Sequence, residues 1–137
     1  MAPRSRSLWA SRAVLGLAAL DSFASGGWAL LYPADVFAWL HIPAPQDAFL
    51  LPVLGVLLIA QGLCLFAALI RPAAWAGFVW VPLLGRMLLI GLWLWLLGAG
   101  RVPTPTALLL LAHEAPWLPG FAIFLMTQRS PAGQGTE

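Results

Sequence analysis

The chain has 137 residues, 61% of them hydrophobic and only 9% charged. Soluble domains carry about 25% charged residues, and one this small has too much surface to cover with so few, so a water-soluble domain is excluded and one small membrane bundle is expected. The net charge of +2 rests on scattered arginines, most of them at segment ends, which excludes an extended nucleic-acid surface; the lone Cys64 excludes disulfide exchange and a zinc ribbon.

Residues 1–12 form a basic leader with Arg4, Arg6 and Arg12. The first apolar segment, 13–32, has Asp21 near its middle. Its positive start and the small residues Ser22 and Ala24 loosely match a cleavable signal peptide. The apolar run continues through Trp28 to Tyr32, however, and this full length favours a retained first span. Residues 34–42 bring Val36, Phe37, Trp39 and Leu40 close together, with Asp35 and His41 among them. That pattern fits a short helix at the membrane surface, with Phe37 and Leu40 toward lipid or the bundle mouth. Pro43 and Pro45 end it.

The second span is expected over 49–70, with Gln61 as its strongly polar residue. Gly55 and Gly62 share a face and would let another helix approach closely. Cys64 lies in this run and fits a packing role. Arg71 and Pro72 make a short connection, so the second and third spans should be antiparallel neighbours. The third span, 74–97, is apolar except for Arg86, and Pro82 should loosen it. A charge at mid-span is unfavourable by roughly 2.5–3.5 kcal/mol on insertion scales.

Residues 98–105 form the next turn, with Pro103 and Pro105 as breakers. The fourth span, 106–126, carries His113, Glu114, Pro116 and Pro119. Pro116 cannot donate to the carbonyl of Ala112, nor Pro119 to that of Ala115. Freed carbonyls beside His113 and Glu114 would suit a water or a ligand. The polar tail, 127–137, has a disordered composition. The whole is an all-α, integral membrane four-helix bundle.

With the N-terminus inside, Arg4, Arg6, Arg12, Arg71 and Arg129 fall on the cytoplasmic side and Arg101 alone outside. This bias predicts that both termini are cytoplasmic, in an inner (plasma) membrane. Trp9 and Trp75 then mark the inner boundary, and Trp28, Tyr32, Trp39, Trp93 and Trp95 the outer.

At about 1.5 Å per residue, Asp21 and Gln61 stand roughly 13 Å from the cytoplasmic boundary, Arg86 roughly 18 Å and Glu114 roughly 20 Å. Each span thus places a polar residue in one slab. Intramembrane ionisable groups turn inward and pair. Arg86 should pair with Glu114, which matches its depth better, or with Asp21, or bridge both, and Gln61 should join the network. Two acids face one arginine, which leaves one acid free to titrate. The cluster either fixes helix register or forms a site that binds a small polar group or relays a proton. His113 and Glu114 are adjacent, about 100° apart on a helix, and poorly placed to share a metal. The sequence contains no GxSxG, HExxH, P-loop or dinucleotide fingerprint and assigns no catalytic residue.

Leu83-Leu84-Gly85-Arg86 resembles an LLGK motif in the third span of a family of small bacterial four-helix membrane proteins, DoxX-like in layout. His113-Glu114, followed by Trp117 and Phe121, resembles the fourth-span pattern of that family, an Asn-Asp pair followed by Trp and Pro-Phe. Glu114 stands where the Asp does and His113 where the Asn does, while the Pro is shifted by one. The resemblance covers the last three spans. It implies the four-helix layout and emphasis on Arg86 and Glu114, and it implies no reaction.

Three functions compete. The first is binding of a small or lipid-like ligand at Arg86, Glu114, Asp21, Gln61, His113 and Trp117; no sequence motif identifies a cofactor, and a quinone is one ligand of the right kind. The second is a structural or accessory subunit, bound to a second copy or to a membrane-complex partner through the small-residue face of the second span. The third is a proton-coupled carrier or membrane enzyme using Glu114. The bilayer is the partner common to all three.

Overall fold

The computed structural model describes residues 3–43 and 49–129. Regular structure there is entirely helical: α1 (Pro3–Leu31), α2 (Pro33–Leu40), α3 (Leu50–Ile70), α4 (Pro72–Trp75), a 3₁₀ turn (Ala76–Val79), α5 (Trp80–Gly98), α6 (Thr104–Glu114) and α7 (Trp117–Arg129). Four stretches are long and apolar enough to cross a membrane: Trp9–Leu31, Leu50–Ile70, Pro72–Gly98 and Thr104–Gln128. The four-helix architecture expected from the apolar runs is therefore present.

Prolines set the boundaries. The residue before a proline is driven out of the helical region, and Tyr32 and Arg71 leave it just where Pro33 and Pro72 open the next helices. α5 ends in a Schellman motif, in which Arg101 N–H reaches the Leu96 carbonyl and Gly100 N–H the Leu97 carbonyl. Gly100 supplies the positive φ of 65°. α2 ends the same way on His41, the one non-glycine residue with positive φ among those described.

Several sequence-based boundaries need correction. The helix of the first span begins at Pro3 rather than 13, so the leader continues it. The third span is not one helix. Pro82 has no N–H for the Phe78 carbonyl, and the chain tightens into the 3₁₀ turn immediately upstream. The fourth span breaks at Ala115 and Pro116, as the prolines suggest, but Leu118 N–H takes the Ala115 carbonyl at 3.3 Å, so Pro119 frees no acceptor there. Of the tail, Thr127–Arg129 continue α7. The remainder, 130–137, and Pro45 in the loop lie outside the described residues.

α1 and α3 form the most intimate pair. They cross at Gly26 and Gly55, where a Cβ on either would lie 2.7 Å from the other's carbonyl oxygen. Gly62 of the same face receives the Phe23 ring. The second and third spans are neighbours, as the short connection predicts, since α3 packs on α4, the 3₁₀ turn and α5. α7 packs on α1 and α5, whereas α6 packs chiefly on α5.

The end of the bundle built from the first half of α1 and from α7 is solid. Leu15, Ala18 and Ala19 of α1 meet Leu65 and Ala68 of α3, and Phe121, Phe124 and Leu125 of α7 fill the remainder. α2 folds back over the opposite end. Val36 and Leu40 are its buried residues, and Thr106 Oγ1 donates to the Leu40 carbonyl at 3.1 Å, tying α2 to α6. Leu40 thus faces the bundle mouth, while Phe37 is half-buried.

Candidate ligand site at the buried charge cluster

Between the solid end and the α2 end lies a polar centre built on Arg86. The guanidinium is 1% exposed, the largest fully buried side chain among the described residues. Three helices supply its partners. Nη1 donates to Glu114 Oε2. Nη2 donates to Asp21 Oδ2 at 2.7 Å and to Ser22 Oγ at 3.2 Å. The guanidinium carbon lies 5.9 Å from the centroid of the Trp117 ring, which provides a cation–π surface.

Arg86 therefore bridges both acids. Glu114 does not outrank Asp21, although helix rise placed it closer in depth, because the two Nη groups of one planar guanidinium each take a separate acid. Ser22 follows Asp21 directly in the sequence, was not among the residues expected at the site, and accepts from Arg86 Nη2.

His113 joins the same network from its own side. Its Nε2 lies 2.8 Å from Asp21 Oδ1, and its Nδ1 lies 3.4 Å from Glu114 Oε1. The adjacency of His113 and Glu114 in sequence separates their Cβ directions but not their side-chain ends, since His113 Nδ1 and Glu114 Oε1 come within 3.4 Å. Among the described residues no group of three or more His, Cys, Asp or Glu side chains is arranged to hold a metal. The four ionisable groups form a ring of contacts: Arg86 to Asp21, Asp21 to His113, His113 to Glu114, Glu114 to Arg86.

Gln61 does not join this ring, contrary to the expectation from depth. Its amide packs on Gly85, where any Cβ would overlap it. Gly85 and Arg86 face about 100° apart on α5, so the amide and the guanidinium occupy different sides of that helix. Gln61 Oε1, Arg86 Nε and Trp117 Nε1 are buried without a protein hydrogen-bond partner. Trp117 thus contributes its ring face rather than its N–H.

A cavity of about 350 Å³ opens from the cluster toward α2. Its walls are aliphatic, with Leu54 and Leu58 from α3, Leu89 from α5 and Leu110 from α6. Trp28, Trp39 and Trp93 line it farther from the cluster. Trp28 and Trp39 meet edge to face, with centroids 5.6 Å apart. Ser25, His113 and Glu114 are the polar residues of the lining. His113 is 40% exposed, and Glu114 is buried. The site thus pairs a long apolar chamber with a hydrogen-bonding end, the usual make-up of a small-molecule pocket.

No protein-family model, curated protein or solved structure matches the chain.

Proposed function

We propose that this chain is a four-span membrane protein that binds an amphipathic, lipid-like small molecule, with its apolar body among the leucines and its head against His113 and Glu114. The observation that carries this reading is the cavity itself, apolar along its walls and ending on a buried charge network. A cluster that served only to fix helix register would need no chamber beside it. The arginine distribution supports cytoplasmic termini and an inner-membrane location, with the cavity in the outer half. The LLGR and HEAPW segments support a DoxX-like family. A quinone or another lipid of comparable shape fits the description.

The test is native mass spectrometry of the protein purified in a mild uncharged detergent. The expected result is a copurifying small molecule on the wild type that Ala29→Phe loses. Ala29 lines the cavity and is buried, so the larger ring occupies the chamber. A bare wild-type protein, or an adduct that survives Ala29→Phe, overturns the proposal. The same spectra give the subunit count, and a stable complex with bare cavities would favour the accessory-subunit reading.

A further inference from the structure

The composition of the charge ring restricts what the cavity accepts. Asp21 from α1, Arg86 from α5, and His113 and Glu114 from α6 are its ionisable members. α3 adds only the amide of Gln61 at this level, and α7 only the indole of Trp117. Two carboxylates against one guanidinium leave one negative charge over. His113 answers it. Both ring nitrogens face carboxylate oxygens. An ionised carboxylate only accepts hydrogen bonds, and an imidazole donates from both nitrogens only when it carries the second proton. One proton shared within the ring therefore brings the cluster to neutrality, and that balance holds whether Asp21, Glu114 or His113 carries it. Buried charge that is not balanced is strongly disfavoured, so an incoming charged head would upset a closed account.

The two contacts of His113 are unequal. Its bond to Asp21 is short at 2.8 Å, while the contact with Glu114 is long at 3.4 Å. The long one lies between the two ionisable residues that line the cavity. A head with one acceptor and one donor can enter there, taking the N–H of His113 Nδ1 and donating to Glu114 Oε1. That replaces one weak hydrogen bond by two without moving the proton count.

We infer that the ligand of this cavity is an uncharged amphipath whose head both accepts and donates a hydrogen bond, as a hydroxyl or a primary amide does, inserted between His113 Nδ1 and Glu114 Oε1. The inference rests on the proposed ligand-binding role and names the class of head that the site selects. It also gives His113 a task that register alone would not require.

The experiment uses three decyl compounds whose charge does not depend on pH: decanamide, decyl sulfate and decyltrimethylammonium. They are offered together at equal concentration to the full-length protein in an uncharged detergent, and the bound species are weighed by native mass spectrometry. Wild type is expected to retain decanamide by about tenfold over either ion. His113→Ala leaves two acids against one arginine, and decyltrimethylammonium should gain on decanamide. Asp21→Asn leaves two basic groups against one acid, and decyl sulfate should gain instead. Opposite shifts in the two variants are what a merely structural role would not produce. Should wild type prefer either ion, or should all three proteins show one and the same selection, the inference is overturned while ligand binding stands. Should none of the three compounds bind to any of the proteins, ligand binding in the cavity fails and the inference with it.

Discussion

The two ends of the bundle are made from the same kinds of residue and packed in different ways. At the end built from the first half of α1 and from α7, Ala18, Ala19 and Ala68 let helices approach, and Phe121 and Phe124 close the space, all with essentially no exposure. At the α2 end, leucines and tryptophans of similar apolarity surround an open chamber of about 350 Å³. Hydrophobicity therefore does not decide which end is solid. The fourth span does. Its break at Ala115 and Pro116 redirects the chain, so that α7 lies against α1 while α6 leans on α5. The charge ring sits at that break, and Glu114 is the last residue of α6. The cavity is the gap that α6 leaves by not following α7 onto α1.

Removing the charge that joins the two ends should have the largest effect. Arg86→Met strips the guanidinium from Asp21 and Glu114 at once and leaves buried carboxylate charge in excess. Breaking a buried pair in this way costs about 3–5 kcal/mol. Adding Glu114→Gln should restore much of that loss, because Asp21 and His113 then remain as a closed pair at 2.8 Å. The measurement is a double-mutant cycle on thermal unfolding in detergent. Strictly additive losses would show that Arg86 and Glu114 do not interact.

This coupling also shows how far the sequence alone reaches. Four long apolar helices, the short α2 and the common level of Asp21, Arg86 and Glu114 were legible, because apolar length and helix rise depend on local chain geometry. The role of Gln61 was not. Depth places it beside Arg86, but the azimuth that turns it onto Gly85 is fixed by how α3 rolls against α1 at Gly26 and Gly55. His113 was legible as a candidate and not as the group that balances the two acids. Its reach across to Asp21 depends on the helix ending right behind it. The cavity was invisible for the same reason, since it arises from the direction of α6 and not from any residue in its wall.

The α1–α3 clamp offers a sharper contrast with smaller expected effects. Gly26 and Gly27 are neighbours on one helix. A Cβ at Gly26 would stand 2.7 Å from the Gly55 carbonyl and 3.0 Å from the Ile59 nitrogen, both backbone atoms that cannot rotate away. A Cβ at Gly27 meets nothing within 4 Å. Gly26→Ala should therefore pry the helices apart at a cost of about 1–3 kcal/mol. Gly27→Ala should be neutral or stabilise by up to about 1 kcal/mol through helix propensity. Melting temperatures of the two variants side by side decide it. Equal shifts would mean that α1 and α3 do not meet at this point.

The smallest expected change in stability lies at the α2 end, where the readout is local. Thr106 Oγ1 is 3.1 Å from the Leu40 carbonyl and joins the start of α6 to the end of α2. Thr106→Val keeps the shape and removes the donor, leaving a carbonyl that α2 must satisfy otherwise. A single hydrogen bond of this kind is worth about 1 kcal/mol net. The solid end does not touch this bond, so the global melting temperature should fall only slightly. The backbone amides of α2 should nevertheless exchange with solvent faster, by about fivefold for a loss of that size, while those of α1 near Leu15 and α3 near Leu65 keep their protection. Because α2 supplies Val36, Trp39 and Leu40 to the cavity wall, a ligand held there should slow the α2 exchange again in the variant. Faster exchange spread evenly over all helices would show that the two ends open as one unit, and the distinction between a solid half and an openable half would fall.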